Sequence, residues 1–165
     1  MAEGAGGGME RQRTMTRQPP RTRLALDEFA SPRVDGAVTP WRVLVCGGRQ
    51  YDDARNVDRT LDALDRANGP LTIIEGGQAG ADELAHRWAS RRQRPHIQVV
   101  AEWSQHGRAA GPIRNQRMID EHHPDLVLAF TGGHGTADMV RRARAAGVPV
   151  FEAIREPASR GEART

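Results

Sequence analysis

Residues 71–82 read LTIIEGGQAGAD, and the order of residue types in that stretch decides the fold. Leu71-Thr72-Ile73-Ile74 is a short apolar run without polar alternation, the pattern of a strand buried on both faces. Glu75-Gly76-Gly77 stops it. A helix starts near Gly80-Ala81-Asp82, buries Leu84, Ala85 and Trp88, and runs out at Arg91-Arg92. Strand, glycine turn and helix in that order make up the opening of a βαβ unit.

The same unit recurs on either side. Upstream, Arg42-Val43-Leu44-Val45-Cys46 is a strand stopped by Gly47-Gly48, and Asp52 or Asp53 caps a helix with Val57, Leu61 and Leu64 on one face. Asn68-Gly69-Pro70 ends that helix. Downstream, Ile97–Val100 is a third strand, followed by a helix through Arg114 to Glu121 that offers Ile113, Met118 and Ile119 to the core. Asp125–Phe130 is the fourth strand. The next helix buries Met139, Val140 and Ala143, exposes Arg141, Arg142 and Arg144, and stops at Gly147. Val148–Phe151 is a fifth strand, placed near an edge because Pro149 has no ladder donor. Apolar strands alternating with helices, without hairpin turns, predict an α/β fold. It is a Rossmann-like, doubly wound parallel sheet of about five strands with helices on both faces.

The chain of 165 residues therefore divides into one domain over 41–156 and two tails, 1–40 and 157–165, whose composition predicts disorder. The 18 glycines and 10 prolines exclude a coiled coil. No apolar run reaches the roughly 18 residues of a membrane helix, and the first residues lack the apolar core of a signal peptide, so the expected location is the cytoplasm. Cys46 is the single cysteine, which rules out an internal disulfide and a cysteine-clustered zinc site. Cys46 itself reads as an inert, buried side chain. His122-His123 lacks a third ligand, and the sequence predicts no metal and no cofactor. All 24 basic residues are arginine, so neither a Walker phosphate loop nor a Schiff-base lysine is available.

In an open parallel sheet, ligands bind beyond the C-terminal strand ends, where the strand order reverses. The glycines gather at those ends: Gly47-Gly48, then Gly76-Gly77 and Gly80, then Gly132-Gly133 and Gly135 with Thr136. Two of these loops open helices, whose first N–H groups attract phosphate. Tight strand-to-helix turns would also use glycine, but three such loops on one edge favour a phosphate-bearing ligand. None matches the Gly-x-Gly-x-x-Gly dinucleotide fingerprint.

The loops resemble a known family. Gly76-Gly77-Gln78-Ala79-Gly80-Ala81-Asp82 resembles the GG-x-x-GAD motif of the SLOG superfamily, in its YspA-type, cpYpsA-related branch. Trp103, Gly107 to Asn115 and Met118 are similar to that branch's W…G-x-x-AGP-x-RN…M signature, and Phe130 to Met139 to its F-P-GG-x-GT-ADM segment. The resemblance spans about Trp41 to Glu152. It implies a Rossmann-like domain that recognises a nucleotide or nucleotide-derived small molecule for sensing, sequestration or processing. Two other classes stay open. One is a LOG-like phosphoribohydrolase, which cleaves the base from a nucleoside 5'-monophosphate. The other is a DprA-like protein that binds or processes DNA.

The LOG pattern PGG-x-GT-x-x-E has Thr131 at its proline and Met139 at its glutamate. Asp138 lies one residue earlier, about 100° around a helix. Asn115 stands at the position of the LOG lysine. An enzyme of this chain would rely on Asp138 or Asp82 as its acid. A nucleic-acid partner ranks lower, because residues 41–156 hold sixteen arginines against fifteen acids. A homo-oligomer stays open. The candidate ligand-binding residues are Gly47, Gly48, Arg49, Gly76, Gly77, Gly80, Arg114, Asn115, Gly132, Gly133, Gly135 and Thr136. Arg114 is the expected phosphate fork, with no expected part in stability. Asp82 reads equally as a helix cap, and Trp103 more as core than as a stacking platform. His134 is a lesser ligand candidate, and Glu75 a candidate ribose contact.

Overall fold

The computed structural model describes residues 39–153; the predicted tails lie outside the described residues, apart from Thr39 and Pro40. Five strands, β1 (Trp41–Cys46), β2 (Leu71–Glu75), β3 (His96–Gln98), β4 (Leu126–Phe130) and β5 (Val150–Ala153), form one sheet in the order β3-β2-β1-β4-β5. Every pairing is parallel. The helices are α1 (Ala54–Asn68), α2 (Ala81–Arg91), the single turn α3 (Trp103–His106), α4 (Ala110–Asp120) and α5 (His134–Ala145), with a 3₁₀ turn over Gly107–Ala109. The chain winds outward from β1 to β3, returns to the centre, and winds outward the other way through β4 and β5. The fold is the α/β doubly wound sheet, and its order reverses between β1 and β4.

Alternation within the buried strands feeds two cores. Val43, Val45, Leu71, Ile73, Leu126 and Leu128 face α1 and α2, meeting Val57, Leu61, Leu64, Ala85 and Trp88. Leu44, Ile74 and Val127 face α4 and α5, meeting Met118, Ile119, Met139 and Ala143. Because both strand faces are covered, the strands read as unbroken apolar runs. Asp53, not Asp52, caps α1, its carboxylate accepting from the Asn56 N–H at 3.0 Å. Trp88 is fully buried and donates its indole N–H to Asp62 at 2.9 Å, so its own donor is paired where α2 docks on α1.

Three expectations need correcting. Ile113 is exposed: α4 begins four residues earlier than expected and turns that side chain outward. Pro112 sits in its first turn, where a missing N–H costs no intrahelical bond. β3 ends at Gln98 rather than Val100, and Val100 is exposed. Arg142 is not on the solvent face; it is half-buried, donating from Nε to Asp138 at 2.7 Å and from Nη1 to Gln116 at 2.7 Å. Among the described residues no helix is long and apolar enough to cross a membrane.

Candidate functional site

A cleft of about 1050 Å³ opens at the C-terminal ends of β1, β2 and β4, beside the point where the strand order reverses. The loops after those strands form its floor and touch one another. The Gly48 N–H donates to the Thr131 carbonyl at 2.9 Å, joining the first loop to the third. Gly80, at φ +82°, approaches the Gly48 carbonyl so closely that any side chain would overlap it, which joins the second loop to the first. A Cβ on Gly132 would lie 2.7 Å from the Gly48 nitrogen and overlap the Thr136 hydroxyl. Packing between loops accounts for these glycines.

Gly133 and Gly135 differ. Among the described residues a Cβ at either would meet no atom within 4 Å, and both line the cleft at the start of α5. The N–H groups of that first turn have no intrahelical partner and carry the positive end of the helix dipole. Thr136 and His134 line the same turn.

Arg114 enters from α4. Its Nη1 donates to the Gly76 carbonyl at 2.6 Å and its Nε to Asn115 Oδ1 at 3.1 Å. Burial pulls the guanidinium below its usual pKa, while Asp82 and Glu75 act to raise it. Asp82 is buried, and its Oδ2 accepts the N–H groups of Gly76 at 3.0 Å and Gln78 at 3.3 Å. It therefore fastens the loop before α2 and makes no side-chain cap on its own helix. Burial pushes its carboxyl up to about 6, against the pull of those N–H groups and of Arg114. Cys46 lines the floor, and burial pushes its thiol up to about 12, leaving it protonated and unreactive.

Asp138 and Asn115 work as connectors. Partial burial opposes the Asp138 charge, but hydrogen bonds from Arg142, Asn115 and Arg141 outweigh it and hold the carboxyl below the usual range. Asn115 donates to Asp138 at 3.1 Å and to the Gly135 carbonyl at 3.2 Å, which ties α5 to α4. Met139, at the position of the LOG glutamate, is buried in the core beneath the cleft.

The cleft gathers Gly47, Gly48, Arg49, Gly76, Arg114, Asn115, Gly132, Gly133, Gly135 and Thr136, together with both candidate acids. Gly77 and Gly80 support it from behind. Lining residues outside the predicted set include Arg108, Gln78 and Trp103. Trp103 is exposed rather than core, with the Arg49 guanidinium carbon 6.0 Å from its ring centroid. Gly111 lies beneath that ring, where a Cβ would meet the indole at 3.4 Å. Arg108 carries only the signal of its place between Trp103 and Arg114.

Comparison with known proteins bears on the family. The YspA, cpYpsA-related SLOG family model matches residues 41–106, which include Gly47–Arg49 and Gly76–Asp82 and end before Arg114. The chain is also 38% identical over 118 residues to the Gene 61 protein of Mycobacterium phage D29, an alignment covering 67% of this chain and 94% of that one. No solved structure matches. The glycine motifs, the parallel sheet and these two similarities together show that the chain belongs to the YspA, cpYpsA-related SLOG family.

Proposed function

We propose that the cleft binds a nucleotide or nucleotide-derived small molecule, with its phosphate at the first turn of α5. One observation carries this reading: Gly133 and Gly135 leave open space in front of a helix N-terminus, with no packing demand to explain them. The charges around the space support an anion. Arg49 lies close enough to Arg114 for the two cations to repel, and Arg108 lines the same cleft. An anionic group relieves that repulsion. The exposed Trp103 ring at the rim suits a base.

Binding without cleavage is favoured by the two residues nearest the LOG acid position. Met139 is apolar and buried, and Asp138 is held ionised by two arginines, a poor state for donating a proton to a departing base. Incubation with AMP, GMP, CMP and UMP is expected to release no free base above a buffer control. Ribose 5-phosphate formation that disappears in Asp82→Asn or Asp138→Asn would overturn binding without cleavage and identify the acid.

A further inference from the structure

Behind the Gly76-Gly77 turn, outside the cleft, three residues with metal-binding side chains converge from three elements. Glu75 is the last residue of β2, His86 lies on α2, and His96 is the first residue of β3. The parallel register pairs Ile73 with His96 and Glu75 with Gln98, so Glu75 and His96 are diagonal neighbours on one face of the sheet. His86 approaches from the helix covering that face, its ring edge-on to His96 with centroids 4.2 Å apart. One donor atom from each residue lies within 4.8 Å of the other two.

The hydrogen bonding is incomplete at the centre of this cluster. The Glu75 carboxylate is 1% exposed; its Oε2 accepts the Gly77 N–H at 2.5 Å, which turns Oε1 toward His86. Among the described residues Oε1 has no hydrogen-bond partner, and neither does the buried His86 Nδ1 that lies 3.7 Å away. A buried polar atom without a partner costs about 1–3 kcal/mol. Two of them facing each other leave room for a shared cation.

We propose that Glu75, His86 and His96 bind a divalent transition-metal ion of the zinc class. Two imidazoles and one carboxylate suit zinc, cobalt or nickel, whereas calcium and magnesium favour oxygen ligands. Donors about 2.1 Å from a tetrahedral zinc are about 3.4 Å apart. The Glu75–His86 pair nearly has that spacing, and the exposed His96 closes the remainder by rotating. Three protein ligands leave a position for water on the solvent side. Bound there, the ion cross-links β2, α2 and β3 and fixes the carboxylate that holds the Gly76-Gly77 turn. The site stands independently of what the cleft binds.

The test loads the metal-stripped full chain with Co²⁺ or Zn²⁺ at neutral pH. Expected are one ion per chain, visible d–d absorption from the cobalt form, and a raised melting temperature with zinc. His96→Ala keeps the fold, because that side chain is exposed. It should weaken zinc binding by more than about tenfold, the loss that removing a ligand's hydrogen-bond partner already produces. His86→Ala should do the same, and a double His122→Ala, His123→Ala variant should not. Absence of uptake, uptake unchanged in His96→Ala, or loss only in the His122/His123 variant would overturn the site.

Discussion

Arg114 donates from Nη1 to the Gly76 carbonyl at 2.6 Å, tying α4 to a loop 38 residues earlier in the chain. The same guanidinium is the cation beside buried Asp82. Arg114→Ala removes a charge-assisted bond and leaves Asp82 without its counter-charge. It is expected to lower stability by about 1.5–3 kcal/mol and to weaken ligand binding as well. Arg114→Lys should recover part of the stability, since the charge remains and the fork is lost. The control is Arg144→Ala, whose pair with Glu152 is exposed on both sides and should matter little. Thermal melts of the three variants check this, and they replace the expectation that Arg114 acts on the ligand alone.

Asp82 gives stability a pH dependence with an uncommon sign. Its folded-state value of about 6 lies above the ordinary 3.8, so the folded chain holds this proton more tightly than the unfolded one. The resulting stabilisation is fully present below pH 3.8 and is lost as pH rises through about 6. The change is on the order of 2–3 kcal/mol. Asp82→Asn should flatten denaturant-derived stability between those two pH values. A slope there unchanged from wild type would assign the effect to another group.

Trp103 and Arg49 line the cleft, while Trp88 is fully buried and Trp41, at the far end of β1, does not line it. A base stacking at the rim should therefore quench a single tryptophan. Nucleotide addition is expected to lower the fluorescence of the full chain, and Trp103→Phe should abolish the change while leaving the melt within about 1 kcal/mol of wild type.

Sequence and structure agree where local chemistry decides the outcome. β1 and β2 were legible as apolar runs because both their faces are buried, and the glycine turns marked the strand ends. β3 was shifted because Val99 donates its N–H to Glu75 at 2.8 Å just past the strand end, continuing an apolar run beyond the regular pairing. The helix after it starts at Ala110, ahead of the expected Arg114, because proline is tolerated in a first turn and Gly111-Pro112 lies inside it. The candidate site was legible as loops on one edge. What each glycine does was not, because the loop-to-loop contacts of Gly80 and Gly132 depend on tertiary packing. The same holds for Glu75, His86 and His96, which no sequence spacing relates and which the β2-β3 register and α2 bring together.

The open space at Gly135 is where the account of binding is most exposed to test. Leucine there adds bulk in front of the first turn of α5, its Cβ meeting no atom of the described residues within 4 Å, and it favours the helix by up to about 1 kcal/mol over glycine. Native mass spectrometry of the full chain, mixed with nucleoside mono-, di- and triphosphates, gives the answer directly. The account predicts a nucleotide adduct on the wild-type chain that disappears in Gly135→Leu, with the melting temperature of the variant unchanged or raised. No adduct on the wild type, or the same adduct on a folded Gly135→Leu chain, would contradict it.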